Sequence, residues 1–252
     1  MLGWICTRIA NYLTGKIQSH NITSAAYDDL KATLRPGDVL LVDGDTRISV
    51  AIKYLTQSTW SHAALYLGPD AGLPISETGE QHVLVEADLV EGIRSLPLSN
   101  YSHVHTRICR PIGLSDRDLH ELQRYAISRL GHQYDLRNIV DLARYFCPTP
   151  PVPTRFRRRM LSLGSGDPTR AICSTYIAEG FQRLQYPILP SILSAKGEYF
   201  DGREGEQELL RIRHHSLFVP RDFDASPFFA IVKPTLSAGF DFHKLNWDAD
   251  SE

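Results

Sequence analysis

Between residues 38 and 109 the sequence is cut into short apolar runs separated by turn residues, and this pattern restricts that part of the chain to a sheet. Arg35-Pro36-Gly37-Asp38 is a Pro-Gly turn feeding the run Val39-Leu40-Leu41-Val42, which Gly44-Asp45 ends. Ser61 to Gly68 and His82 to Ala87 are further strands. Gly92-Ile93-Arg94-Ser95-Leu96 and Val104 to Cys109 alternate as half-buried strands do. Ser49 to Leu55 reads as a short helix between them. Strands so close in sequence pair through short connections, so a single antiparallel sheet or small barrel is expected.

The rest of the chain supplies helices for that sheet, and the expected fold class is α+β. Ser115 to Leu130 opens on a Ser-Asp cap, closes at Gly131 and carries Leu119, Leu122, Tyr125, Ala126 and Leu130 as its apolar stripe. A second helix is expected after Tyr134-Asp135, to about Phe146. Cys147-Pro148-Thr149-Pro150-Pro151-Val152-Pro153 must then be extended, because proline removes donors and turns its predecessors away from helix. In Ile172-Cys173-Ser174-Thr175-Tyr176-Ile177-Ala178-Glu179-Gly180-Phe181 apolar or small residues recur at helical spacing, so Cys173 lies on the buried side of a helix's first turn. Beyond it come a polar stretch around Asp201 to Gln207 and a closing strand, Phe228 to Val232.

Composition excludes some classes of function. A formal net charge of -2 over 252 residues, with 42% hydrophobic and 22% charged residues, gives no general affinity for nucleic acid. The four cysteines, Cys6, Cys109, Cys147 and Cys173, lack the C-x-x-C spacing of a zinc site and the pattern of a disulfide framework, so reduced thiols are expected. Neither a phosphate-binding glycine loop nor a metal motif is present, so no cofactor and no metal is expected. Met1 to Ile17 lacks the features of a secretory signal, and no run approaches the ~20 apolar residues of a membrane span. The expected location is cytoplasmic, or outside by a route without a classical signal peptide. Leu2, Ile5, Ile9, Leu13 and Ile17 instead make residues 1–17 an amphipathic helix that packs on the domain or a partner, or touches a membrane surface.

Three residues carry chemistry. A thiol at a helix N-terminus meets unpaired N–H groups and the positive end of the macrodipole, which favours its thiolate. His62 opens a strand beside Trp60, and Glu86 interrupts an apolar strand, where a carboxylate needs a cation or imidazole as partner. Nucleophilic thiol chemistry requires a base within reach and a third group to orient it, and Cys173, His62 and Glu86 satisfy that inventory. From residues alone the plain alternatives stay open: Cys173 as a small buried hydrophobe, His62 as a structural histidine, and the Arg155 to Arg159 cluster as a solvated loop.

Taken in order, Arg35-Pro36-Gly37-Asp38-Val39, Ser61-His62 with Tyr66-Leu67-Gly68, Val85-Glu86-Ala87 and Cys173-Ser174 at a helix start resemble the circularly permuted papain-like hydrolases. These are the YiiX-like branch of the NlpC-type cell-wall peptidases, related to lecithin:retinol acyltransferase. Gly131-His132-Gln133-Tyr134-Asp135 is similar to the family's Gly-x-x-Tyr element, and Pro220 to Phe223 with Ser226 to Val232 is similar to its closing segment. The resemblance runs over residues 34–233 as a permuted papain-like catalytic domain with an insertion at about 148–170. An N-terminal helix and linker, 1–33, and a polar tail, 234–252, lie outside it. It implies Cys173 as nucleophile, His62 as base, Glu86 as orienting acid and Tyr134 as a substrate-pocket residue. The expected activity is hydrolysis of an amide through a thioester, on a peptidoglycan-type or other small peptide. A lipid-directed thiol hydrolase or acyltransferase acting on an acyl lipid, and a catalytically silent binding module, are the competing readings.

Overall fold

The computed structural model describes residues 15, 26–88, 91–133, 172–198, 204–237, 239, 241 and 243. Tyr134, the expected helix toward Phe146, the 148–170 insertion with its arginines, Cys6 and Cys147 lie outside these residues, as does the 1–17 helix apart from Gly15.

The first described helix, α1 (Tyr27–Thr33), falls in the stretch read as linker. Asp28 and Asp29 complement the positive end of its dipole, and Leu30 is buried against Leu34, Leu40 and Ile108. So short a helix carries too little periodicity to be read from sequence and depends on such packing. Strand β1 (Val39–Asp43) follows, then α2 (Arg47–Thr56), capped by the Thr46 side chain, which accepts from the Ser49 N–H. Strands β2 (His62–Tyr66), β3 (Leu84–Asp88), β4 (Gly92–Leu96) and β5 (His105–Pro111) come next. Helix α3 (Asp116–Ser128) begins with a capping box between Ser115 and Asp118, and α4 (Ile172–Arg183) carries Cys173 in its first turn.

The polar stretch around Asp201 to Gln207 runs into a strand that was not expected, and it forms a hairpin, β6 (Ser191–Glu198) with β7 (Glu204–Arg211). Its glutamates, glutamine, lysine and glycines give neither alternation nor β-branched enrichment, so the pairing had no local signal. Helix α5 (Pro220–Ala225), strand β8 (Phe229–Val232) and helix α6 (Pro234–Ser237) close the described chain.

Six strands form one antiparallel sheet in the order β4-β3-β2-β1-β5-β8. It stays open, which decides between the two expected forms of sheet. Its central strand β1 is buried on both faces, as its unbroken apolar run requires. Val39 and Leu41 face a core shared with Ala63, Leu65, Val85 and the α4 residues Tyr176, Ile177 and Phe181. Leu40 and Val42 face the opposite core, with Ala64, Leu84, Leu96 and α1. Helix α4 therefore covers one face, packed on β2 and β3.

The turn into β1 fixes how the sheet starts. Gly37 has φ +92, and a Cβ there would come within 3.2 Å of both Leu114 and Leu119, so only glycine fits without strain. Next to it the Asp38 carboxylate, 1% exposed, accepts from Arg35 N at 2.8 Å, Arg110 Nε at 2.9 Å and Arg110 Nη2 at 2.7 Å. This pair ties the beginning of β1 to β5. Arg110→Met removes the cation and leaves a buried carboxylate, so urea unfolding is expected to show a loss of about 3 kcal/mol. A loss below about 0.5 kcal/mol, the range of an ordinary surface change, would contradict this account.

Candidate active site

Strand pairing brings the first two site residues together. The register Leu65↔Val85 and Tyr66↔Leu84 sets Glu86 beside Ala64, so His62 is its diagonal neighbour on the same face. His62 opens β2, whereas Glu86 is the central residue of β3 rather than at its end. Their contact is direct: His62 Nε2 lies 2.8 Å from Glu86 Oε2. With the carboxylate ionised, Nε2 carries the proton and donates, which leaves Nδ1 to face the thiol.

Glu86 is 1% exposed, and its burial is compensated by three partners. Besides His62, the guanidinium of Arg94 donates to Oε1 from Nε at 3.0 Å and Nη2 at 2.9 Å, and the Tyr101 hydroxyl donates to Oε2. Both partners foreseen for this carboxylate, an imidazole and a cation, are thus present at once. Neither Arg94 nor Tyr101 was singled out from sequence. A signal for Arg94 did exist: in the β3–β4 hairpin it is the direct cross-strand partner of Glu86, two strands that the sequence had already delimited. Tyr101 arrives from a 3-10 turn, Leu98–Tyr101, and had no comparable signal.

Cys173 is 5% exposed, at the start of the helix packed on β2 and β3. It meets the His62 imidazole by charge and hydrogen bond, receives a hydrogen bond from the Ala63 N–H, and has the Ser174 hydroxyl 3.9 Å from its sulfur. All three sequence candidates are therefore brought together where β2 begins.

The electrostatics follow from these contacts. Burial opposes ionisation of the Cys173 thiol, but the imidazolium, the Ala63 N–H and Ser174 outweigh it and hold the thiol below its ordinary range. Burial likewise opposes charge on His62, and the facing thiolate and the Glu86 carboxylate overcome it, raising the imidazole well above its usual value. Glu86, despite burial, is held at about 2 by His62, Tyr101 and Arg94. Cys109 is the contrast, a thiol that burial pushes far up. Glu86 titrates lower in the folded chain than in the unfolded one, so the stability it supplies is whole above about pH 4.3 and is lost as the pH falls toward 2. His62 has the opposite sign: its contribution is complete below about pH 6.5 and is lost as the pH rises through its raised value.

With the geometry in hand, comparison with known proteins gives a similarity over part of the chain. Residues 33–149 match the family model described as permuted papain-like amidase enzyme, YaeF/YiiX, C92 family. Over that segment the chain is similar to the permuted papain-like thiol hydrolases. The matched segment holds the strands with His62 and Glu86 and ends before Cys173. Among solved structures, the metalloprotein YiiX of Escherichia coli O157:H7 aligns at 18% sequence identity and a TM-score of 0.43, over 79% of this chain and 96% of that chain. No curated protein sequence gives a match. Among the described residues no helix is long and apolar enough to cross a membrane, and no three His, Cys, Asp or Glu side chains cluster as metal ligands.

Because Glu86 serves His62 and Arg94 together, Glu86→Gln is expected to act on stability and on the thiol at once. Unfolding at neutral pH is expected to lose about 3 kcal/mol, since a buried charge pair loses one member. The pH dependence of Cys173 alkylation by iodoacetamide is expected to move upward, toward an ordinary thiol, as the imidazolium loses its carboxylate. A variant of unchanged stability with an unmoved alkylation profile would contradict the arrangement.

Proposed function

We propose that the protein is an amidase in which Cys173 is the nucleophile, His62 the acid and base, and Glu86 the orienting carboxylate, acting on a small peptide or peptidoglycan-type amide. The observation carrying this reading is that at the start of β2 the His62 imidazole meets both the Cys173 thiol and, at 2.8 Å, the Glu86 carboxylate, an arrangement that holds the thiol low and the imidazole high. Such a thiol is ionised without a separate deprotonation step.

The Cys173 thiolate attacks the amide carbonyl carbon and forms the carbon–sulfur bond. The backbone N–H of Cys173, in the first turn of α4, donates to the oxyanion that develops. His62 gives its proton to the leaving nitrogen, the carbon–nitrogen bond breaks, and an amine departs from a thioester. Neutral His62 then takes a proton from water as the water attacks the thioester, and the carbon–sulfur bond breaks to release a carboxylic acid and restore the ion pair. Throughout, Glu86 keeps the Nε2 proton in place and so keeps Nδ1 directed at the reacting atoms. If an amine or alcohol replaced water in the second half, the same residues would perform acyl transfer, the runner-up reading for an acyl-lipid substrate.

Turnover of N-acyl peptide amides and of fatty-acyl amides, followed with intact-mass detection of an acyl adduct, tests this. Peptide amides are expected to be cleaved, to leave an adduct on Cys173, and to lose on the order of 10³-fold or more in kcat with Cys173→Ala. The profile of kcat/KM is expected to be a bell, rising with ionisation of the thiol below its usual range and falling as the imidazolium loses its proton above its usual range. Turnover that survives Cys173→Ala would remove the proposal.

A further inference from the structure

A pocket of about 490 Å³ opens at the same end of the sheet and takes no part in the mechanism above. Trp60, His105, Arg107, Arg221 and Asp224 line it. Its place relative to the thiol follows from register. His62 pairs with Val42 and His105 with Asp43, so the two histidines stand at the same end of β1 on the strands either side of it, His62 in step with the Val42 and Ala64 face and His105 in step with the opposite one. Two strand spacings separate their backbones by roughly 10 Å. His105 and Arg107 alternate in step with Cys109, a member of the core beneath α4, so the pocket lies on the face that α4 covers.

The polar groups of the pocket are arranged rather than scattered. The Asp224 carboxylate accepts from Trp60 Nε1 at 3.0 Å and from Arg107 Nη1 at 2.8 and 2.9 Å. It thereby fixes the guanidinium 4.9 Å over the Trp60 ring, while His105 stacks on that indole at 5.1 Å. Arg221 reaches in from α5, its Nη1 anchored on the Thr56 carbonyl at 2.7 Å. One carboxylate thus stands against two guanidinium groups. Nη2 and Nε of both arginines have no partner among the described residues, and Arg221 forms no ion pair among them. The lining thus carries two guanidinium groups and one carboxylate, with Asp222 also within coulombic range of Arg221, and leaves two guanidinium forks to donate.

We propose that this pocket binds an oxyanion group of the substrate, a carboxylate or a phosphoryl, and so selects anionic amides. The proposal rests on the amidase reading of the neighbouring thiol and adds the substrate's charge and its position. At 3.3–3.6 Å of reach per extended residue, a backbone separation of roughly 10 Å puts the anionic group two to three residues from the scissile carbonyl. A peptide with a nearby free carboxylate meets that demand, and an amide bearing a phosphate head group meets it too.

Two measurements test it. Titration calorimetry on the full chain carrying Cys173→Ala compares N-acetyl-Gly-Gly, its C-terminal amide, and glycerol 3-phosphate. The carboxylate is expected to bind about tenfold more tightly than the amide, as charged hydrogen bonds imply, and Arg221→Ala, whose fold is checked by thermal unfolding, is expected to abolish the preference. Stronger binding of glycerol 3-phosphate than of N-acetyl-Gly-Gly upholds the oxyanion site and assigns it a phosphoryl source. On the native chain, N-bromoacetyl-Gly-Gly is expected to alkylate Cys173 faster than its amide does. Equal binding of acid and amide, or a preference untouched by Arg221→Ala, overturns the proposal. A calorimetric preference without alkylation of Cys173 by either bromoacetyl probe upholds the pocket and instead overturns the thiol reading.

Discussion

A carboxylate that is 1% exposed in the middle of a strand is a liability unless every oxygen is occupied, and the site is organised around how Glu86 meets that requirement. One oxygen takes both donors of Arg94, and the other takes His62 Nε2 and the Tyr101 hydroxyl. The consequence travels outward through charge. With its carboxyl held at about 2, Glu86 is an anion at any physiological pH and raises the imidazole, and the raised imidazole lowers the thiol. Burial works against all three ions individually, so the arrangement persists only as a set. Arg94 also pairs with Asp88 at 3.4 Å and Glu91 at 2.8 Å, which anchors the cation that steadies Glu86 from the far side.

Much of this was legible in the sequence because the relevant elements are short, apolar and closed by turn residues. Gly92 to Leu96 was delimited as it is found, and the strand carrying Glu86, expected from His82, begins at Leu84. The lone glutamate in an apolar run announced a buried partner, and the residue directly across the hairpin supplies one. What sequence could not show was what depends on tertiary packing. Helix α1 has too few residues for a periodic signal, and the β6–β7 hairpin has a composition that sheet propensities disfavour. Tyr101 and the grouping of Trp60, Arg107, Arg221 and Asp224 join residues far apart in the chain, so no local pattern marks them.

The sheet also explains why, among the described residues, the candidate site and the neighbouring pocket lie at one end of β1. His62 and His105 open adjacent neighbours of β1, and the first turn of α4 sets Cys173 against the first of them. The opposite end of β1 carries a different charged pair, Asp38 with Arg110, which is closed on itself: the carboxylate takes two guanidinium donors, and the remaining contact of the cation is the Thr33 carbonyl at 2.7 Å. Two buried ion pairs on one sheet thus differ in consequence. In one every charge is satisfied by structure, while the other includes an imidazole that also meets a thiol.

The central claim is that Cys173 rests as a thiolate beside an imidazolium. It is tested most directly by titrating the ultraviolet absorbance of the thiolate in the native chain minus that in Cys173→Ser. The account predicts a difference signal already present at neutral pH and persisting below the ordinary thiol range near pH 8.5. Its loss on acidification would coincide with loss of the ion pair, because the two groups titrate as one unit. A difference signal that first appears at or above pH 8.5 would show an ordinary protonated thiol beside a neutral histidine, and would contradict the account.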